Sequence, residues 1–473
     1  MLMNIFKRNT IDMTKGKEWK VIIMFAIPIF FSNLFQTLYN IVDSIIVGQF
    51  VGDEALASVS SSGSLIFLFN SFFIGLASGA GVVISRFFGM NDHNNMRKAI
   101  HNDVLVGLVS GLILTIAGIF LSPIILKAMG TPDNIIDESV TYFRIYFIGV
   151  SGVILYNTFS SILQALGDSF RPLIFLVIAA VTNVGLDFLL IVGFKMGVAG
   201  ASLATILSQF LSALLSFIVL LPKKNIYHLS FKELKFDKRI IKIILYNGIP
   251  SAIQNSVIGL ANVFVQSNIN SFGDLVMAGC GAYNRIEGFA FLPITCFMLS
   301  IATFVSQNLG AGEIERAKRG SRFAIITSVI MAEVIGIITY FSAEGLIGLF
   351  LNEGSSKEVL DAGVLALRTV CFFYPLLAFS HLIASVLRGS GRAIIPMVIM
   401  LSIWCIFRVA YIVVAMQINH NLRLLYCAYP ITWGMSSIIY FIYYFFTKWY
   451  ILRKKEPKVN ENEENEENEE NMI

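Results

Sequence analysis

The sequence predicts an all-α integral membrane protein with about twelve transmembrane helices in two pseudo-symmetric six-helix bundles. Three observations indicate this fold class: an apolar composition, apolar runs of spanning length, and a repeat that relates the two halves of the chain. Of the 473 residues, 56% are hydrophobic and only 14% are charged. The mean hydropathy is +0.73. This composition is too apolar for an ordinary soluble domain.

Apolar runs long enough to cross a bilayer as helices recur along the whole chain. They lie near residues 18–47, 56–85, 99–122, 138–166, 171–194, 198–221, 241–272, 276–307, 322–343, 360–387, 393–416 and 424–448. Their number gives the expected twelve spans. No nucleophile with a partner base, no His/Cys metal cluster and no phosphate-binding loop accompanies them, so the sequence favours a protein that is not an enzyme and needs no cofactor.

Basic residues are distributed unevenly over the connections between these runs. With a cytoplasmic N-terminus, 27 of the 35 Lys and Arg residues fall in cytoplasmic segments, four in external loops and four within spans. Short cytoplasmic loops are enriched in Lys and Arg. The pattern therefore predicts a multi-pass protein of the cell membrane with both termini in the cytoplasm. A net charge of only +4 argues for this topology and against a nucleic-acid partner.

The two halves of the chain repeat at a spacing of 221 to 224 residues. The matched pairs include Pro28 with Pro250, Gly52 with Gly273, Arg144 with Arg368, and Gly167 with Gly391. Each half holds an even number of spans, so the repeats share one orientation and an axis along the membrane normal should relate them. Two bundles that face each other across a cleft are suited to alternating access.

We expect four segments from these features. Residues 1–221 form an N-terminal six-helix lobe and residues 241–449 a C-terminal one, joined by a basic cytoplasmic linker at residues 222–240. Residues 450–473 are rich in alternating Glu and Asn and should form a disordered acidic tail.

The linker is amphipathic enough to lie on the inner leaflet of the membrane. Its apolar side would comprise Ile226, Tyr227, Leu229, Phe231, Leu234 and Phe236. A plain solvated linker is the alternative interpretation.

A polar stripe marks the end of the first span. Its members recur at intervals of three and four residues and so share one helix face: Gln36, Tyr39, Asn40 and Asp43. A carboxylate that faces lipid costs at least about 2.5 kcal/mol, so Asp43 should face a cavity or a partner. A helix-end aspartate in the headgroup region is the simpler alternative.

The fifth and sixth spans carry further polar residues. Asn183 and Asp187 are one turn apart on one face of the fifth span, and Thr205 lies in the sixth. Together with Asp43 they would form two carboxylates and neutral oxygens inside one bundle. Such a cluster can bind a hard monovalent cation or share a proton, because two close carboxylates in a low dielectric cannot both stay ionised. Alternatively, Asp187 only forms a hydrogen bond between helices.

The second half has no acid at the position that matches Asp43, where Val265 and Gln266 stand. Glu287, two residues after Arg285, is the candidate for a direct functional role in that half. Alternatively, it pairs with an intramembrane arginine and has only a structural role. Glu333 has no obvious partner and stays unassigned. His381, within the tenth span, is either a proton relay or a packed, hydrogen-bonded side chain.

The polar stripe, the Asn183-x-x-x-Asp187 pair, Gly200-Ala-Ser-Leu-Ala-Thr205 and Gln307-Asn-Leu-Gly-Ala-Gly312 together resemble the multidrug and toxic compound extrusion (MATE) transporters. The resemblance implies the MATE fold and export of bulky, often cationic amphiphiles driven by inward H⁺ or Na⁺. It also implies that Asp43, Asn183, Asp187 and Thr205 form the coupling site, holding Na⁺ if sodium is the ion, and that Gln36, Tyr39 and Asn157 line the substrate cavity. Asn40 shares their helix face. Residues 251–255 after Pro250 include no acid, unlike another branch of the family.

These features predict a cation-coupled multidrug antiporter that acts as a monomer, with a small amphiphile and membrane lipid as its partners. The alternative is a lipid-linked oligosaccharide flippase of the same superfamily, which requires arginines around a pyrophosphate group. Four intramembrane arginines keep this alternative open: Arg144, Arg285, Arg368 and Arg408.

Overall fold

The computed structural model describes residues 10–128, 135–351 and 356–451, and all regular structure in these ranges is helical. Eleven helices in them are long and apolar enough to cross a membrane, and a bent pair supplies a twelfth span. The predicted all-α fold with about twelve spans is therefore confirmed. The predicted acidic tail lies outside the described residues from residue 452 onward.

The spans α1 to α12 are, in order, Glu18–Phe50, Asp53–Gly89, His93–Ala128, the pair Ile136–Ile148 and Val150–Ala165, Phe170–Gly193, Gly197–Leu220, Lys238–Asn270, Asp274–Gly310, Ile314–Phe341, Lys357–Gly389, Ile394–Ile418 and Leu422–Phe446. The two halves of α4 meet at 47°. Segments of α5 and α11 are π-helical, at Phe188–Gly193 and Leu401–Phe407. Short helical turns at Phe231–Glu233 and Ala343–Gly348 lie in the connections.

Several helices extend beyond the apolar runs that predicted them. The third run begins near residue 99, but α3 begins at His93 and therefore includes Arg97 and Lys98. Hydropathy detects only the part of a helix that crosses hydrocarbon, whereas backbone hydrogen bonding continues into the polar ends. The starts of α3 and α9 were consequently predicted several residues too late.

The structure reproduces the internal repeat in detail. Gly52 and Gly273 have φ values of +119° and +94°, and each precedes a helix of 37 residues. Gly167 and Gly391 follow α4 and α10 with φ values of +86° and +80°. This region of backbone space favours glycine because it lacks a Cβ atom. The same local geometry at matched positions confirms two pseudo-symmetric bundles.

The two bundles approach closely at the end that holds residue 10, the connection between α6 and α7, and residue 451. We call this end the basic end, because most lysines and arginines lie there. A Cβ atom on Gly79 of α2 would lie 2.3 Å from the Cα of Gly248 in α7, and one on Gly89 would lie 2.0 Å from the carbonyl oxygen of Gln307 in α8. Small residues thus let the backbones of different bundles touch.

A strap formed by residues 10–17 crosses the basic end and is bonded to the second bundle. Met13 is fully buried, and its amide donates to Oε1 of Gln307 at 3.1 Å. The guanidinium of Arg316 donates to the Met13 carbonyl at 3.1 and 3.2 Å, and also to the carbonyls of Lys15 and Gly16. One buried arginine therefore binds three carbonyl groups of this irregular segment.

The same strap is bonded to the first bundle. The amide of Ile11 donates to the Gly167 carbonyl at 3.0 Å, in the turn between α4 and α5. Nε2 of Gln307 donates to the Ala165 carbonyl at 2.8 Å, so this α8 side chain bridges both bundles and the strap. The strap holds the two bundles together at the basic end.

Replacing Arg316 with alanine should destabilise the protein by about 2–4 kcal/mol, because buried carbonyls of the strap lose charged donors. The measurement is thermal unfolding of the purified protein in detergent. Arg319→Ala is the matched control, since that side chain is 65% exposed and pairs with Glu18 at 2.8 Å, and such surface pairs contribute about 1 kcal/mol or less. Equal shifts for both variants would contradict the role of Arg316.

Candidate functional site

A cavity of about 590 Å³ lies between the bundles, and the polar face of α1 forms one of its walls. Gln36, Tyr39, Asn40 and Asp43 all line it. The spacing of three and four residues thus turns four polar groups toward one shared space. Asp43 lines this cavity, as one of the two interpretations of its sequence position requires.

The other walls come from α2, α4 and α6, with two residues from the second bundle, Leu292 and Thr295. Asn157 lines the cavity, and its side-chain amide donates to the Val153 carbonyl at 2.9 Å. The Tyr39 hydroxyl accepts a bond from Nε2 of Gln209 at 3.5 Å. The cavity therefore belongs mainly to the first bundle.

Sequence reasoning missed several polar residues that line this cavity. They are Asn70, Tyr142, Tyr146, Tyr156 and Gln209. Tyr146 is bonded to Asn70, whose Nδ2 donates to the tyrosine hydroxyl at 2.9 Å. These residues are scattered through apolar runs without a stripe, so nothing in the sequence pattern separates them from ordinary packed residues.

A buried carboxyl pair lies behind the α1 wall. The carboxyl groups of Asp43 and Asp187 interact electrostatically. Asp187 has no exposed surface. In an apolar bundle each of two interacting carboxyl groups disfavours the charged form of the other, so the pair is suited to share a proton or to bind another cation.

Polar atoms around this pair have no hydrogen-bond partner among the described residues. They are Oδ1 of Asp43, both carboxyl oxygens of Asp187, and both side-chain polar atoms of Asn183. Asn183 is 1% exposed. Buried polar atoms are normally bonded, so this group is equipped to receive a small polar ligand.

Thr205 of α6 lines the cavity together with Asp43. Its hydroxyl donates to the Ala201 carbonyl at 3.1 Å, which leaves the oxygen lone pairs available. The donor set of carboxylate, amide and hydroxyl oxygens fits a hard monovalent cation, and the carboxyl pair also fits a proton. Asn183 and Asp187 do not line the cavity itself. The coupling role of the four residues stays a prediction.

A second cavity, of about 760 Å³, adjoins a neighbouring face of α1 and is lined in part by Arg285. Asn40 lines both cavities. The Arg285 guanidinium lies 6.0 Å from the centroid of the Phe350 ring, in the range of a cation–π contact. Arg285 is therefore next to α1 and not beside Glu287.

Glu287 lies within the second bundle and accepts a hydrogen bond from the Tyr283 hydroxyl. It interacts electrostatically with Arg408 of α11. The Arg408 side chain is buried, donates to Oγ1 of Thr432 at 2.8 Å and lies 4.6 Å from the centroid of the Tyr429 ring. Of the two candidate partners for Glu287, the structure places Arg408 and not Arg285 next to it.

The remaining predicted residues of the second bundle lie apart from the cavity between the bundles. His381 packs edge-on against Trp404, with ring centroids 5.1 Å apart. Glu333 is half-buried in α9, near Cys371.

The repeat-related arginines bond to equivalent sites in the preceding helices. Nε of Arg144 donates to the Ile119 carbonyl at 3.3 Å, and Nε of Arg368 donates to the Tyr340 carbonyl at 3.4 Å. Neither lines the cavity between the bundles. The arginine-lined cleft that the flippase alternative requires is not formed by the described residues.

Comparison with known proteins identifies the family. A family model described as MatE matches residues 28–189 and 250–414, more than half of the chain. The chain is 29% identical to the "Probable multidrug resistance protein YoeA" of Bacillus subtilis, over 92% of this chain and 95% of that protein. It is 30% identical to the "Probable multidrug resistance protein YpnP" of the same organism, over 83% of this chain and 87% of that protein.

A solved structure, described as the outward-facing conformation of a multidrug resistance MATE family transporter, has the same fold. Its TM-score to this chain is 0.85 at 22% identity, over 92% of this chain and 97% of that one. The family match falls in both repeats and includes α1 and α5, which carry the carboxyl pair. This chain therefore belongs to the MatE family, the multidrug and toxic compound extrusion transporters, and it is a transporter and not an enzyme.

Proposed function

We propose that this transporter exports bulky, often cationic amphiphiles in exchange for inward-moving H⁺ or Na⁺. The carboxyl pair behind a large cavity is the observation that carries the proposal. The names of the related Bacillus subtilis proteins support multidrug resistance as its cellular effect. The excess of basic residues at one end supports a cytoplasmic location for that end and for both termini.

The exchange follows from the charge of the pair. When Asp43 and Asp187 hold one negative charge, a cationic substrate in the adjoining cavity is attracted to it. Binding of H⁺ or Na⁺ neutralises that charge and removes the attraction. A ligand shifts a conformational equilibrium only through its differential affinity for the two states, so the coupling cation and the substrate favour opposite arrangements of the first bundle.

The walls of the cavity suit such a substrate. Four tyrosines line it, at positions 39, 142, 146 and 156. Aromatic faces attract organic cations, and their apolar area contacts the rest of an amphiphile. A volume of about 590 Å³ lies within the usual range for sites that bind drug-sized molecules.

The Asp43→Asn variant should abolish resistance to ethidium-like cations in a host that lacks its own pumps, because an amide cannot exchange a charge. Membrane insertion should be unchanged, as judged by the amount of protein in purified membranes. Asp274→Asn is the matched control, since Asp274 is exposed in the first turn of α8, and it should keep wild-type resistance. Wild-type resistance from the Asp43 variant at normal expression would refute the assignment.

Asp187→Asn should separate substrate binding from coupling. Asp187 lies behind the cavity and does not line it, so binding of a fluorescent amphiphile should change less than about threefold. Uptake into vesicles against a gradient of the amphiphile should fall to the level of empty vesicles. The measurement uses purified protein in vesicles under separately imposed proton and sodium gradients.

The same vesicles identify the coupling ion. With the wild-type protein, one of the two gradients should drive movement and the other should not. Movement under neither gradient, or equal movement for wild type and Asp187→Asn, would rule out an exchanger that couples through this pair.

A further inference from the structure

The connection between α6 and α7 is folded onto the basic end of the first bundle. Tyr227 and Leu229 are buried in the core of that bundle, and Leu234 packs against it. The Leu229 amide donates to the Leu220 carbonyl at 2.8 Å, at the end of α6. The prediction that these three residues lie on the membrane-facing side of the linker was therefore wrong, because they face the bundle.

The other three apolar residues of the linker face outward. Ile226, Phe231 and Phe236 are 45%, 71% and 61% exposed. The Phe231 ring lies 5.6 Å from the ring of Phe217 in α6. On the same helix Leu214 and neighbouring apolar side chains are also exposed, so Phe231 continues the lipid-facing surface of α6 to the basic end.

A cavity of about 760 Å³ lies beside these aromatic residues, between the start of α3 and the linker. It is lined by His93, Asn94, Arg97, Lys98, His101, Asn102, Lys232, Glu233, Lys235, Phe236 and Asp237. Phe236 therefore belongs both to the exposed apolar surface and to the wall of a polar cavity.

The acidic groups of this cavity are already engaged. Both carboxylate oxygens of Glu233 accept from the Arg97 guanidinium at 2.7 Å. Asp237 caps α7 by accepting from the amides of Arg239 and Ile240. Glu233 is therefore paired with Arg97, and Oδ1 of Asp237 is occupied by the helix cap.

The three lysines of the cavity are exposed and form no ion pair within the described ranges: Lys98, Lys232 and Lys235. His101 helps to fix their surroundings, because its Nε2 accepts from the Ser230 amide at 3.0 Å. The linker contributes Lys232 from within its 3-10 turn and Lys235 from just after it, and α3 contributes Lys98. The result is a positively charged cavity whose rim is aromatic.

This combination fits one ligand chemistry. A free phosphate would use the lysines but not the exposed phenylalanines, and an acidic protein would not require an apolar rim continuous with a membrane-spanning helix. An anionic phospholipid uses both, since its phosphate meets lysines at the membrane surface while its acyl chains lie along apolar side chains.

We propose that this cavity binds the headgroup of an anionic phospholipid, with Lys98, Lys232 and Lys235 on the phosphate and Phe231 and Phe236 against the acyl chains. The site belongs to the first bundle and joins its α3 to the linker that leads into the second. A bound lipid would therefore hold the linker against the bundle that carries the carboxyl pair.

The test uses native mass spectrometry to compare the binding of phosphatidylglycerol and of phosphatidylcholine to the full-length protein. The wild type should bind phosphatidylglycerol preferentially. The double variant Lys232→Gln with Lys235→Gln should bind it about 30-fold more weakly, since each lysine near the headgroup contributes about a fivefold effect. The matched control is Lys357→Gln with Arg423→Gln, an equal change of charge at exposed positions of the opposite end, which should bind as the wild type does.

Two further binding measurements distinguish a lipid site from a phosphate site. Phe231→Ser should weaken phosphatidylglycerol binding, and inorganic phosphate should not displace the lipid from the wild type. Equal affinity in the lysine double variant and its control would overturn the proposal. Displacement by inorganic phosphate, together with wild-type lipid binding by Phe231→Ser, would show a phosphate site and would overturn it as well.

Discussion

The central interaction of the first bundle is the one between the carboxyl groups of Asp43 and Asp187 in an apolar surrounding. Asp187 is fully buried, and neither of its oxygens has a hydrogen-bond partner among the described residues. An isolated buried charge costs several kcal/mol, so a bound proton or cation would stabilise the pair. On the proposed function, this pair is the group whose charge changes, next to a cavity of the size that an organic cation needs.

Much of the fold could be predicted from the sequence because a bilayer imposes simple rules. The apolar runs predicted all twelve spans, and matched positions such as Gly52 and Gly273 predicted the repeat. The strap could not be predicted, since residues 10–17 carry neither periodicity nor a motif. Their position follows from long-range bonds to Arg316 and Gln307, about 300 residues away, and single-sequence patterns contain no information about such contacts.

The candidate site was predictable where polar residues share a helix face. The spacing of Gln36, Tyr39, Asn40 and Asp43 placed all four on one cavity wall. The tyrosines of α4 were missed, because tyrosine is common in apolar runs and its polar atom leaves no pattern. Likewise, Glu287 was two residues from Arg285 in the sequence, but a separation of two turns side chains to different faces of a helix, and its actual neighbour is Arg408.

The two bundles share a fold but differ in how they treat buried charge. In the second bundle Val265, at the position that matches Asp43, is buried in an apolar core, and the half-buried Glu287 interacts with the cation of Arg408. An acid compensated by an arginine has little to gain from a second cation. No arginine of the described ranges contributes to the electrostatic surroundings of Asp43 and Asp187, so a mobile cation could bind there. On the proposed function, the pseudo-symmetric fold supplies the moving architecture, and this local difference between the halves assigns the charge change to the first bundle.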